Sequence, residues 1–575
     1  MIKKYSYGTP FPTDAVVLEL ESSKEPLPFF ETDGAGTFTY SLSEEDIVYG
    51  LGEQIRGINK RGWQYISWNS DNPNHQEDTR SLYGAHNFMI ICGAVLFGVF
   101  FDYAGKMEFD IGYTKRTVMQ IKAEKNDLAV YIITGKTEKE IVKQFRTLIG
   151  KSYIPPFWAF GYGQSRWGYK TEQDIRTVAE QYQTAGIPLD SIYLDIDYME
   201  RYKDFTVDPE RFPDLKNLVQ DMQKQGIHLV PIIDAGVKIE TGYDVYEEGV
   251  QNNYFCKNAD GEDFVGAVWP GRVHFPDFLQ PEARDWFGKK YAVLTNLGIE
   301  GFWNDMNEPA IFYTEDRLAD TCAEIQKLAS KNMGTQDYFA FTGMVAGLNG
   351  NKGDYDKFYH NVNGQMIRHR EIHNLYGMNM TRSAFEALQE ICPEKRTLFF
   401  SRSSYIGAHR YGGVCRILPV KPKSACSMAC CEGMAKSATS SVISPVSSPL
   451  SVAKPKGSSA RYVLSASSRY SMSRAACPTA IGSTPAAAGS SVPAWPTRFM
   501  CSTLRTAPMT SCEDMPGGLR MLRNPSIISP PGNGRRGSPS RWPRRSCAWH
   551  PRMASRACSR PRACGRRRRI ARQLR

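Results

Sequence analysis

The chain has 575 residues, 41% hydrophobic and 12% aromatic, enough to bury large cores in several domains. Its net charge of +11 conceals a division: residues 1–414 carry 43 Lys+Arg against 57 Asp+Glu, and residues 415–575 carry 28 against 3. The total therefore gives no reason to assign the first part an acidic partner, and ten of the fourteen cysteines also fall in the second part. Cys92, Cys256, Cys322 and Cys392, the four in the first part, lack the paired spacing of a disulfide framework, so that part reads as cytoplasmic.

The opening MIKKYSYGTPFPTD has two lysines but no apolar stretch of a secretion signal. Phe88 to Phe101 is the longest apolar run. Gly93 and Gly98 interrupt it and it is too short to cross a bilayer, so it reads as two buried strands and no membrane partner is expected. Across residues 1–135, short alternating stretches such as TFTYSL, KMEFDIGYT and LAVYIITG, separated by turn residues, predict an antiparallel β-sandwich.

From residue 136 the pattern changes. Ile141, Val142, Phe145 and Leu148 mark one face of a helix over 138–149 that Gly150 stops, and IPPFWAFGYGQSRW reads as a strand feeding a loop. A second helix opens on the Thr171/Asp174 capping pair, buries Ile175, Val178, Ala179 and Tyr182, ends at Gly186, and leads into SIYLDID. Leu215, Leu218, Val219 and Met222 mark the next helix, before the strand IHLVPIID. A helix from Pro281 to about Asn296 precedes IEGFWND, and one from about Met378 to Gln389 precedes RTLFFSR. Helices alternating with continuously apolar strands predict parallel βα units, hence an α/β fold of the (β/α)8 barrel type over 136–414, with five strands in view and an excursion at about 311–375. Asp195, Asp234 and Asp305 stand at strand ends, which a barrel gathers at one mouth.

The segment GFWNDMNEP carries the functional signal. By itself, Asp305 could cap a helix, pair with an arginine or perform chemistry. The company decides: Asp195, Arg402, Trp167, Trp269 and Trp303 also fall at or beyond strand ends, and carboxylates beside flat aromatic faces suit a sugar ring. Elsewhere the signals are weaker. GLGEQIRG and GYGQSRWG lack nucleotide-loop spacing. His369 and His373, four apart without a third ligand, read as a solvated helix face, so neither a metal nor any other cofactor is expected.

The motifs VYGLGE, GYGQSRWGY, YLDIDYM, VWPGRVHFPDF, GFWNDMNEP and FSRSSYIGAHRYGG resemble glycoside hydrolase family 31, retaining α-glucosidases and α-xylosidases, from about residue 40 to Val414. The resemblance implies that Asp305 is the nucleophile, that Asp195 and Arg402 hold the hydroxyls of the terminal sugar, and that Trp167, Ile196, Trp269, Trp303 and Met306 line its pocket. Asp71, in SDNPNHQED, would reach over the mouth or serve as an ordinary turn residue, and Glu308 is a structural residue. The expected partners are α-glucoside oligosaccharides, without nucleic acid.

In that family HRYGG is followed by a Trp-x-Gly-Asp-type segment carrying the general acid/base. Here the text is VCRILPVKPK, and no aspartate occurs between Val414 and Glu513. The basic stretch that follows, with GRRRRIARQLR at its end, has the charge of a nucleic-acid-binding tail. Its scattered cysteines, its tryptophans and its lack of lysine after Lys456 instead read as translation out of register, and as a disordered tail over 415–575 that leaves the barrel incomplete and the chain inactive.

Overall fold

The computed structural model describes residues 1–415. The expectations for the tail lie outside the described residues.

The N-terminal strands form two antiparallel five-stranded sheets. Ile2–Tyr7, Leu128–Thr134, Leu96–Asp102, Phe88–Cys92 and Ile47–Gly50 lie in that order in one, and Glu31–Thr32, Thr37–Ser41, Val118–Ala123, Met107–Ile111 and Trp63–Ser67 in the other. The apolar run resolves into the two paired strands expected, Phe88 opposite Phe100 and Cys92 opposite Leu96. Phe38, Val99, Phe101, Ile121 and Val130 fill the space between the sheets.

Helix Glu138–Ile149 follows, capped by the Thr137 side chain and ended by Gly150 at φ +90°, a backbone conformation that glycine adopts without steric cost. Six parallel strands then curl side by side: Gly163–Gln164, Ser191–Leu194, His228–Asp234, Gly301–Asp305, Leu398–Ser401 and Gly413–Cys415. These parallel strands and the helices between them are part of a (β/α) barrel, as the sequence pattern implies. Thr171 and Asp174 form the expected reciprocal capping box of helix Glu172–Thr184. Leu215, Leu218, Val219 and Met222 are the buried face of helix Leu215–Lys224.

Four local expectations need correction. Within IPPFWAFGYGQSRW only Gly163 and Gln164 pair as a strand, because Phe157–Phe160 winds into a 3-10 turn. The helix expected over 281–296 breaks at Tyr291 into Pro281–Lys290 and Ala292–Thr295. The described strands number six instead of five, since Gly413–Cys415 pairs with Leu398–Ser401. His369 and His373 are not solvated: they open the short helix His369–Ile372 and the 3-10 turn His373–Leu375, and both are fully buried beside Trp68, Tyr355 and Phe358. The segment 311–375 holds helices Glu315–Leu328 and Thr335–Ala346 and the hairpin Tyr359–Val362/Gln365–Arg368. Among the described residues, no helix is long and apolar enough to cross a membrane.

Candidate active site

Parallel pairing delivers the site. Strands Gly301–Asp305 and Leu398–Ser401 are neighbours in register, Asn304 opposite Ser401, so Asp305 and Arg402 emerge side by side at the carboxyl end. The Arg402 backbone N–H donates to the Asn304 carbonyl at 2.9 Å. Asn307 ties the two strand exits together, its Nδ2 donating to Ser401 Oγ at 3.1 Å and its Oδ1 accepting from the Ser403 N–H at 2.9 Å. Between them Met306 turns through a left-handed backbone (φ +56°), an uncommon conformation for a side-chain-bearing residue that marks a tightly determined site.

The Arg402 guanidinium is the hub. Its Nε and Nη2 donate to Glu308 Oε1 and Oε2 at 2.8 and 2.7 Å. Asp305 Oδ1 lies 3.1 Å from Nε, Asp71 Oδ1 lies 3.7 Å from Nη1, and Met306 Sδ accepts from Nη2 at 3.4 Å. The Tyr83 ring covers its face at 5.4 Å. Arg402, Asp305 and Glu308 are 7%, 6% and 0% exposed, so these charges interact with little screening by water. Burial disfavours the charged guanidinium, but Asp305, Glu308 and Asp71 outweigh it and hold Arg402 protonated well above its ordinary value. Burial pushes the Glu308 carboxyl up to about 7, against the pull of Arg402 and with the charges of Asp71 and Asp305 adding to the rise. The contact of Asp305 Oδ1 with Arg402 is an ion pair that is not aligned as a hydrogen bond, and this oxygen accepts none from the described residues.

The other strand-end acids differ. Asp195 stands just past Ser191–Leu194 and accepts from the Ile196 N–H at 2.9 Å, opening a 3-10 turn in which Ile196 is 2% exposed. Asp234, opposite Asp305 on the adjacent strand, is held protonated well above the carboxylate range, first by burial and then by the charges of Asp204, Asp305 and Asp195. Asp204 Oδ1 accepts its backbone N–H at 2.8 Å. Environment thus divides these acids: Asp305 faces a cation, whereas burial and the neighbouring carboxyls push Asp234 up.

The aromatic residues separate into two groups. Trp303 is buried within the strand, edge-on to Tyr193. Trp167, 53% exposed, sits 5.4 Å from half-buried Trp269, which packs edge-on against Phe312 at 5.1 Å. Hence the structure joins Asp71, Asp305, Met306 and Arg402 in direct contact, and Trp167 with Trp269 in a separate aromatic pair. Sequence reasoning missed Tyr83 and Asp204, since neither falls at the end of a barrel strand.

Residues 152–415 match the profile of the Glycosyl hydrolases family 31 TIM-barrel domain, and residues 16–110 that of the Glycosyl hydrolase 31 N-terminal galactose mutarotase-like domain. Alpha-glucosidase 2 of Bacillus thermoamyloliquefaciens is 37% identical over 375 residues, 65% of this chain and 43% of that protein. An alpha-glucosidase of Saccharolobus solfataricus is 27% identical over 417 residues, 71% of this chain and 57% of that protein. Among solved structures, a GH31 dextranase of Flavobacterium johnsoniae complexed with glucose superposes with a TM-score of 0.55 at 27% identity, covering 67% of this chain and 42% of that one. The chain thus spans about half the length of the curated relatives it matches.

Proposed function

Because the chain belongs, over the matched residues, to glycoside hydrolase family 31, we propose that it encodes an enzyme releasing terminal α-linked glucose from oligosaccharides with retention. Asp305 is the nucleophile in this reading. The single observation that carries it is the Asp305 carboxylate at a strand end, its Oδ1 in an ion pair with Arg402 Nε at 3.1 Å and accepting no hydrogen bond from the described residues. A carboxylate at a strand end beside a guanidinium is the kind of group that attacks an anomeric carbon in retaining hydrolysis. Asp71, Asp195 and Arg402 bind the sugar hydroxyls. Ile196, Trp303 and Met306 form the pocket wall, with Trp167 and Trp269 offering ring faces further out. The two curated alpha-glucosidases and the glucose-bound dextranase support an α-glucoside as the substrate class.

Retaining hydrolysis uses a second carboxyl about 5 to 5.5 Å from the nucleophile. Glu308 is committed to Arg402 through both oxygens, and the sequence holds no aspartate between Val414 and Glu513, where the family's acid/base segment falls. We therefore assign this chain sugar binding and attack on activated donors, without turnover of unactivated glucosides. The test is mass-spectrometric mapping after exposure to a fluorinated α-glucosyl fluoride, an activated donor that needs little protonation. An adduct on the peptide containing Asp305, absent in Asp305→Asn, is expected; an adduct on a different carboxylate would overturn the assignment.

A further inference from the structure

Three imidazoles lie in line beneath the loop that carries Asp71. His360 Nδ1 stands 2.6 Å from Asp277 Oδ1, His360 Nε2 stands 2.9 Å from His369 Nδ1, His369 Nε2 stands 2.8 Å from His373 Nδ1, and His373 Nε2 stands 2.7 Å from the Asn69 carbonyl oxygen. The three rings and Asn69 are 0% exposed, and Asp277 is 2% exposed.

The chemistry of the far end fixes the direction of every bond. A carbonyl only accepts, so His373 carries a proton on Nε2. Burial holds His373 neutral, its pKa lowered to about 3, and burial with the two neighbouring rings holds His369 neutral as well. His373 Nδ1 is therefore a lone pair and must accept from His369 Nε2–H. In turn His369 Nδ1 accepts from His360 Nε2–H. His360 Nδ1 then faces Asp277 Oδ1 at 2.6 Å, and two lone pairs cannot meet at that distance. A proton lies between them. Asp277 and His360 together hold one proton more than a carboxylate plus a neutral imidazole, and the pair is net neutral whichever atom carries it.

Cys256 Sγ, 3.6 Å from His360 Nδ1, completes a set of three groups within reach of one ion. Two ligands of one zinc ion stand about 3 Å or more apart, so the direct Asp277–His360 contact fills the space an ion would take. Burial, and then the Asp277 charge, also push the Cys256 thiol well up, away from the thiolate a metal needs.

At the other end the chain of rings meets the site. The Asn69 N–H donates to Asn374 Oδ1 at 3.0 Å, and Asn69 Nδ2 donates to Ser403 Oγ at 2.7 Å, one residue from Arg402. Trp68 stacks on His373 with ring centres 3.7 Å apart. Asp71 follows two residues later, 3.7 Å from Arg402. We propose that Asp277, His360, His369 and His373 form a buried strut of fixed hydrogen-bond direction, which positions Asn69 and through it presents Asp71 to Arg402. The strut is a matter of geometry, and only the role of Asp71 towards a sugar rests on the function proposed above.

Two substitutions in the full chain, neither of which changes the net charge of the pair, test whether a donor at position 277 holds the strut. In Asp277→Asn the carboxamide Nδ2–H can donate to His360 Nδ1 while its oxygen still accepts from the Asn361 N–H, leaving the weaker 3.2 Å contact from Leu279 N–H as the loss. In Asp277→Ala nothing holds the end. Amide exchange over Trp68–Asp71 is expected to quicken about tenfold in Asp277→Ala and less than about twofold in Asp277→Asn, with strand Leu128–Thr134 unchanged in both. Nitrogen spectra of histidine-labelled wild type should show His369 and His373 as Nε2–H tautomers. The proposal is overturned if Asp277→Ala exchanges like wild type, if Asp277→Asn opens as far as Asp277→Ala, or if His373 carries its proton on Nδ1. Should Asp277→Ala loosen the control strand as well, the tautomers of the unaltered chain decide. A wild type that fails to bind a glucose-configured iminosugar would count against the sugar reading and leave the exchange and tautomer results to judge the strut.

Discussion

Arg402 and Glu308 meet as a buried fork, Nε to Oε1 at 2.8 Å and Nη2 to Oε2 at 2.7 Å, and this pairing removes Glu308 from the candidates for acid/base work. A bidentate guanidinium–carboxylate pair is strong in geometry and costly to break from one side, because the partner left behind is a buried charge. Glu308→Ala should destabilise the chain by about 3 to 5 kcal/mol. Arg402→Lys should also destabilise it, since an ammonium point charge cannot reproduce the fork. Urea unfolding measures both; a Glu308→Ala midpoint equal to that of wild type would show that the pair carries no structural weight.

Asp71 and Asp305 approach the same guanidinium, but their oxygens have different tasks in the proposed function. Asp71→Ala should weaken binding of a glucose-configured iminosugar about 10- to 100-fold, the effect of one lost charge-assisted hydrogen bond at roughly 1.5–3 kcal/mol. Asp305→Asn should abolish covalent labelling while leaving a measurable noncovalent complex. Calorimetry and intact-mass analysis separate the two, and an Asp71→Ala chain that binds as tightly as wild type would remove Asp71 from the site.

The legible and illegible parts of the molecule divide along physical lines. Helix limits at Thr171 and Gly150 were readable because caps act locally, and the strand IHLVPIID was readable because both of its faces are buried. Asp305 and Arg402 could be assigned to one mouth because parallel strands share a carboxyl end. The strut could not be read this way. Asp277, His360 and Asn69 come from three separate segments, and the spacing of His369 and His373 is the same for a wet helix face as for two rings hydrogen-bonded at 2.8 Å. Burial by Trp68, Tyr355 and Phe358 decides between these, and no periodicity within the segment records it.

Helix Pro281–Lys290 crosses helix Tyr376–Ile391 at Gly288, where an added Cβ would stand 2.3 Å from the Ser383 carbonyl oxygen and 2.7 Å from Ala387 Cβ. Alanine gains about 1 kcal/mol of helix propensity over glycine, and overpacking costs about 1–3 kcal/mol. The nearer atom is backbone and cannot swing aside, so sterics win and Gly288→Ala should lower the melting temperature. Gly343, in helix Thr335–Ala346, has nothing within 4 Å of an added Cβ. Gly343→Ala should raise the melting temperature. If the two shifts had the same sign, the close crossing at Gly288 would not be the cause.

Several histidines are buried in neutral form. Burial lowers His86 to about 4, and His373 and His409 to about 3. In the unfolded chain they titrate near 6.5, so between that value and the folded one the unfolded state binds more protons. Their contribution is complete above about pH 6.5 and is lost as pH falls towards 4. For His86, whose Nε2 lies 3.1 Å from Ser404 Oγ, the loss amounts to about 3 kcal/mol. His86→Gln should flatten the fall in melting temperature between pH 7 and pH 4. Parallel curves for variant and wild type would mean that His86 is not held neutral.

In the proposed function a glucosyl–Asp305 intermediate forms only as the leaving oxygen departs, and with maltose that oxygen is a poor leaving group that must gain a proton as the bond breaks. General acid assistance is worth about 10² to 10⁴ in rate, and Glu308, pinned by Arg402, is not placed to give it. The purified 575-residue chain should therefore show no measurable release of glucose from maltose or isomaltose. An aryl α-glucoside with an acidic phenol leaves without that proton, so it should label Asp305 where maltose does not. Restoring a Trp-x-Gly-Asp-type segment after Val414, together with the sequence that follows it in the relatives, should bring maltose hydrolysis back. Turnover of maltose by the unaltered chain would show that a carboxyl other than the family's acid/base serves as proton donor.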